Sequence, residues 1–240
     1  MTPSQPPANW GNDEISTFLD VARNNEYATF ANYQGEIRRL IDLDAWCRKA
    51  IDGLNHSIDW FAGFFLLRAH SNLLAACRMT WSGQIPECYA MLRSCLENAL
   101  YGLYLARNPT SRETWLRRHD SDEHRRKVKD EFKIRTMLEL AKSIDTKEGN
   151  VAELLYDRTI DYGAHPNEQA LMQVLQINDK AEPVEFKMIY LEGDSIQLRL
   201  ALKTTAQVGV CSLSLFRSIY KERFDILGVT GAIDHIKNGL

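Results

Sequence analysis

The chain has 240 residues, 45% of them hydrophobic and 25% charged, enough apolar side chain for one buried core without a disulfide or metal staple. Twenty-nine Lys and Arg against 32 Asp and Glu leave a net charge of −3, which excludes a global electrostatic draw toward nucleic acid or membrane and leaves any such binding to a local patch. The most apolar run, Phe61 to Leu67, is far shorter than the ~20 residues a bilayer span requires, so a soluble protein with no membrane partner is expected.

Met1 to Asn12 is polar and Pro-rich, without the basic and apolar regions of a secretory signal, and reads as a loose arm ahead of one helical-bundle domain over 13–240. A first helix is predicted over Asp13–Asn24 and a second over Gly35–Leu54, where Ile37, Leu40, Ile41, Cys47, Ile51 and Leu54 recur at helical spacing. Asn55-His56-Ser57 matches a glycosylation triplet that, without an export signal, is accidental. Ile58–Trp81 is apolar around most of its circumference, with a narrow wet edge at Arg68, Ser71 and Arg78, as a central helix requires.

Gly83 ends that helix, and Pro86 stands in the first turn of the next, which runs to Arg107 before Asn108-Pro109. The charged stretch Ser111–Lys142 predicts a short helix and a longer one. Asn150 with Glu153 has the pattern of a capping box opening a helix that Gly163 terminates, and Pro166 starts another with His165 near its N-cap. Val184, Phe186 and Met188 alternate with polar residues, as do Ile196, Leu198 and Leu200 beyond Glu192-Gly193-Asp194-Ser195, which fits a hairpin within 184–200. The row from Leu198 to Ile219 also continues one helical face with Asp194 as a suitable cap, so a short strand followed by a long helix to Phe224 is preferred. The expected fold is thus an all-α, up-down multi-helix bundle with a short strand or hairpin near 184–200.

Five cysteines, with no CxxC pair, all sit in apolar helical patterns, which points to a reducing, cytoplasmic setting. In the Asn150 helix, Val151, Leu154, Leu155 and Tyr162 share a direction with Arg158. A guanidinium keeps its charge, so an inward one needs a carboxylate, carbonyls or an anionic ligand, unless it snorkels to the rim or makes a structural pair. His70 lies between apolar rows of its helix, as either a core histidine with one hydrogen bond or a site residue. Arg93 and Glu97 stand i,i+4 in the weaker order for an intrahelical pair, which leaves a bond across the bundle open, Glu97 to Arg158 among the options.

Arg112–Arg135 carries nine basic and six acidic residues, the pattern of a solvated face that also offers phosphate contacts. His119 and His124 are spaced i,i+5, which splays them apart, so no metal site and no cofactor are expected. HExxH, Walker A, GxGxxG and GxSxG sequences are absent, which disfavours hydrolases and nucleotide-binding enzymes of those designs.

The stretch Tyr156-Asp-Arg-Thr-Ile-Asp-Tyr-Gly-Ala-His-Pro-Asn167, after a helix containing Leu92-Arg-Ser-Cys-Leu-Glu97, resembles the HEPN superfamily of prokaryotic helical bundles. Members of that superfamily carry an Arg and a His separated by four to six residues, and here six separate Arg158 from His165. Thr159 stands where active members favour Asn, Asp or His. The resemblance implies a helical homodimer that brings two Arg/His pairs together and, in active members, a metal-independent endoribonuclease of toxin or defence systems. Arg158 and His165 would then be catalytic, with Glu97, Arg93, His70, Tyr162 and Asn167 as binding or supporting residues and RNA as partner. The alternative is a non-catalytic dimerisation or ligand- and partner-binding module in which the same pair holds a phosphate or fixes the junction. A small-molecule enzyme using His70 and Glu97 in a bundle pocket stands third.

Overall fold

The computed structural model describes residues 5–54 and 59–240; the Asn55–Ser57 triplet, Ile58 and the first four residues of the arm lie outside the described residues. Helix α1 (Glu14–Asn32) starts at Asp13, whose carboxylate accepts from the Ser16 amide at 2.8 Å, and runs on past the expected end at Asn24, since no breaker interrupts Asn25 to Asn32. α2 (Gln34–Asp52) buries Ile37, Leu40, Leu43, Cys47 and Ala50. α3 (Trp60–Ser82) and α4 (Ile85–Arg107) are the central pair, joined at Gly83. Gly83 has φ 87°, and its carbonyl accepts from the Glu192 amide at 2.8 Å; an added Cβ would lie 2.1 Å from the Glu192 carbonyl oxygen.

The charged stretch forms three helices rather than two: α5 (Ser111–Leu116), α6 (Asp122–Glu131) and α7 (Ile134–Ile144). Ser121 opens α6, its hydroxyl accepting from the His124 amide, and a second break at Phe132 and Lys133 separates α6 from α7. Only Val128 of α6 is buried, so its charges are solvated, as their alternation predicts. α8 (Thr146–Thr159) begins ahead of the expected capping box, because Asp145 accepts from the Glu148 amide and wins the N-cap. A π turn over Ile160–Ala164 extends α8, and α9 (Glu168–Met172) follows.

A hairpin is present, but it pairs β1 (Leu175–Asn178) with β2 (Glu185–Met188), Ile177 opposite Phe186, so the partner of the expected strand lies upstream. Glu192–Ser195 instead leads into α10 (Ile196–Ile219), capped by the Ser195 hydroxyl rather than Asp194. Helix α10 stops at Ile219, short of the expected Phe224, and α11 (Lys221–Ile226) and α12 (Val229–Lys237) complete the chain.

The molecule is an all-α helical bundle with a small hairpin. α10 packs along both α3 and α4, and its buried row from Leu198 through Phe216 joins theirs in one continuous core. Thr80 is paired inside that core: its hydroxyl donates to the Ala76 carbonyl at 2.8 Å and meets Thr205 at 3.1 Å. The free thiols share this interior, where burial pushes Cys88 and Cys95 up to about 11 and Cys77 and Cys211 up to about 12. One expectation for α3 fails: besides Arg68, Ser71 and Arg78, its outer row exposes Trp60, Phe64, Leu67 and Leu74, so the wet edge is largely apolar. Among the described residues, no helix is long and apolar enough to cross a membrane.

Candidate functional site at the end of helix α8

The junction that carries Arg158 and His165 is held by backbone and amide contacts. Gly163 lies flat against the start of α4, where an added Cβ would come within 2.4 Å of the Pro86 carbonyl oxygen and 2.6 Å of its Cα. Asn167 donates to the Ile160 carbonyl at 2.8 Å, and Gln173 donates to the Tyr162 carbonyl at 2.6 Å. Asn167, not His165, is the N-cap of α9: its side-chain oxygen accepts from the Ala170 amide at 2.8 Å. His165 is exposed on extended backbone, and its imidazole has no hydrogen bond or ion pair among the described residues. Beside it, Pro86, Pro166, Leu171, Val174 and Tyr190 line an apolar cavity of about 620 Å³.

Arg158 is half-buried, but the apolar face expected around it is rotated. Ala152, Leu155, Tyr156 and Thr159 turn inward, while Val151 and Leu154 are exposed. The Arg158 guanidinium reaches α10, where Nη1 donates to Gln207 Oε1 at 2.8 Å and to Thr204 Oγ1 at 3.3 Å. Both acceptors are neutral. The half-buried Arg93, Arg112 and Arg217 each face a carboxylate, whereas Arg158 has none within 4 Å among the described residues. Its Nε and Nη2 donate to no described protein atom, and neither is sealed from solvent. That leaves a two-donor edge of fixed geometry, suited to a phosphate or carboxylate. Tyr89, stacked on Tyr162 at 5.3 Å, lies close enough to feel the Arg158 charge; burial nonetheless holds its phenol protonated well above the usual tyrosine range.

The supporting residues fall into separate groups. Arg93 and Glu97 do pair within α4, Nε to Oε1 at 2.8 Å, because Tyr156 of α8 locks them: Arg93 donates to its hydroxyl at 2.9 Å and that hydroxyl donates to Glu97 at 3.2 Å. Glu97 therefore does not reach Arg158. Thr159, buried, donates to the Tyr156 carbonyl at 2.7 Å and has no free hydroxyl to offer a ligand. His70 is buried on α3 and bonds Asp44 of α2, Nε2 to Oδ1 at 2.6 Å, so it does not share a pocket with Glu97. Thr204, Gln207 and Tyr89 were not legible as site residues, since only the packing of α10 and α4 against α8 brings them to Arg158.

The His70 contact has a measurable consequence. Burial would raise the Asp44 carboxyl, but hydrogen bonds from Arg48 and His70 outweigh it and hold the group below its usual 3.8. Its contribution to stability is therefore complete above pH 3.8 and is lost as pH falls through the lowered value. Asp44→Asn is expected to cost about 1–2 kcal/mol at pH 7 and to flatten the acid limb of a urea-denaturation series below pH 4.

Comparison of the chain with family models, with curated proteins and with solved structures finds no match.

Proposed function

We propose that the protein cleaves RNA by metal-independent transesterification at the α8 junction, with Arg158 holding the scissile phosphate and His165 moving the proton. The observation that carries the reading is the open Nε/Nη2 edge of a half-buried Arg158 that has no carboxylate partner. A cation so placed is best satisfied by an anion from outside the chain. His165, exposed and without a hydrogen-bond partner among the described residues, is free to act as base. In its neutral form it takes the proton of a ribose 2′-hydroxyl as that oxygen attacks the adjacent phosphorus. Arg158 stabilises the added negative charge of the pentacoordinate phosphorus, and the 5′-oxygen leaves. The products carry a 2′,3′-cyclic phosphate and a 5′-hydroxyl. Arg158 and His165 share no hydrogen bond within one chain, so the reading includes a homodimer that sets two such pairs around one cleft.

The second reading, a non-catalytic module that binds a phosphate-bearing ligand or partner, is favoured by the bracing of the junction. Asn167 and Gln173 fix it by bonds to backbone carbonyls, which a purely structural joint also needs. An RNA with a single cleavable position separates the two. Transesterification predicts cyclic-phosphate ends in EDTA and no cleavage when that ribose is 2′-deoxy. Cleavage that persists without the 2′-hydroxyl, leaves 3′-hydroxyl ends or stops in EDTA contradicts the route, and intact RNA throughout favours the binding module.

A further inference from the structure

A second cavity, of about 630 Å³, opens where the start of α3 faces α5, and its walls are aromatic: Trp60, Phe61, Phe64, Phe65 and Trp115. Trp60 and Phe64 meet edge to face at 5.2 Å and Phe65 meets Trp115 at 5.4 Å, which fixes the rings at steep angles to one another. Despite these contacts Trp60 is 60% exposed and Phe64 57% exposed, a costly arrangement for side chains that large. The lining carboxylate is already neutralised, because Asp59 accepts both of its oxygens' bonds from Arg112, at 2.8 and 2.9 Å. Arg68, which also lines the cavity, has no hydrogen bond or ion pair among the described residues. The unbalanced charge at this aromatic cleft is therefore positive, whereas the whole chain is net negative.

We infer that this cleft binds single-stranded RNA, with a base against the exposed Trp60 and Phe64 faces and a backbone phosphate on Arg68. Aromatic faces accept any base, and an unpaired guanidinium takes phosphate by charge and by hydrogen bonding, so the two features together suit an unpaired strand better than a duplex or a neutral ligand. Such a cleft would hold substrate away from the reacting bond and tune affinity rather than chemistry. The inference takes its polymer from the ribonuclease reading but not its residues, which lie on different helices from Arg158 and His165.

The test uses a labelled 2′-O-methyl oligonucleotide of about eight residues, which cannot be cleaved by transesterification, titrated with full-length protein and read by fluorescence anisotropy. Trp60→Ala and Arg68→Gln are each expected to weaken binding about tenfold or more, Trp60→Phe to retain most of it, and added salt to weaken the wild type. Both positions are exposed, so the variants should melt with the wild type; if Trp60→Ala does not fold, Arg68→Gln carries the comparison alone. No binding by wild type, or equal binding by all variants, overturns the inference even if RNA is cleaved. A wild-type dimer that becomes monomeric in Trp60→Ala, with binding otherwise unchanged, also overturns it and assigns the face to a second copy. Binding that depends on Trp60 and Arg68 in a protein that never cuts RNA upholds the inference and removes the ribonuclease reading.

Discussion

Arg158→Met is expected to reduce RNA cleavage by about 10²–10³-fold or more while leaving thermal stability within about 1 kcal/mol of wild type. The two halves of that result have one cause. The side chain's protein bonds go to Thr204 and Gln207, which are neutral, so its removal strands no buried charge. Methionine preserves the stem's packing and takes away the guanidinium edge that would hold the phosphate. Arg112→Met is the informative contrast, because it leaves Asp59 without the two bonds it now accepts. Allowing for the partial exposure of that pair, it should cost about 1–2 kcal/mol, and because Asp59 lines the aromatic cleft any loss of cleavage should appear in RNA affinity rather than in the single-turnover rate at saturating RNA. Arg158→Lys keeps the charge but not the two-donor edge, and should recover only part of the activity. Parallel melting curves and single-turnover cleavage of the variants check the pattern.

Gly163→Ala should have the largest structural effect of any single methyl addition at the junction. The new Cβ would sit 2.4 Å from one backbone atom of Pro86 and 2.6 Å from another, and neither can rotate away as a side chain does. The π turn must move off the start of α4, at a cost of about 1–3 kcal/mol and a fall in melting temperature of several degrees. Because the same turn separates Arg158 from His165, cleavage per folded molecule should fall as well. Unchanged melting would mean that the turn has room to adjust, and that the close approach to Pro86 does not set its geometry.

Much of the bundle could be read from local signals, and the departures share a physical origin. Gly83 and Pro86 mark the α3–α4 turn correctly because a positive φ and a first-turn proline are properties of single residues. The α8 face is rotated from the expected one because Gly149, Ala152 and Thr159, which carry little hydrophobic signal, are the residues that pack against α7, α4 and α10, while Val151 and Leu154 lie outside. The inward aim of Arg158 survives that rotation for a different reason, since its reach to α10 is tertiary. Likewise, alternation marks β2, but its pairing with β1 at Leu175–Asn178, a strand of equal length, is a contact between segments that alternation within one segment does not specify. His70 was legible as an inward histidine; its tie to Asp44 was not, because the two lie on different helices.

The most direct test of the α8 junction as a site of metal-free RNA cleavage is to incubate a mixed RNA pool that includes tRNA with wild-type protein and His165→Ala, side by side in EDTA. The imidazole is exposed and makes no hydrogen bond among the described residues, so the variant should fold and melt like wild type. Cleavage by wild type alone, with loss of about 10²–10⁴-fold in the variant, is the predicted result. Equal cutting by both proteins, or by neither, would contradict it and leave Arg158 and His165 as framework or as a non-catalytic anion site.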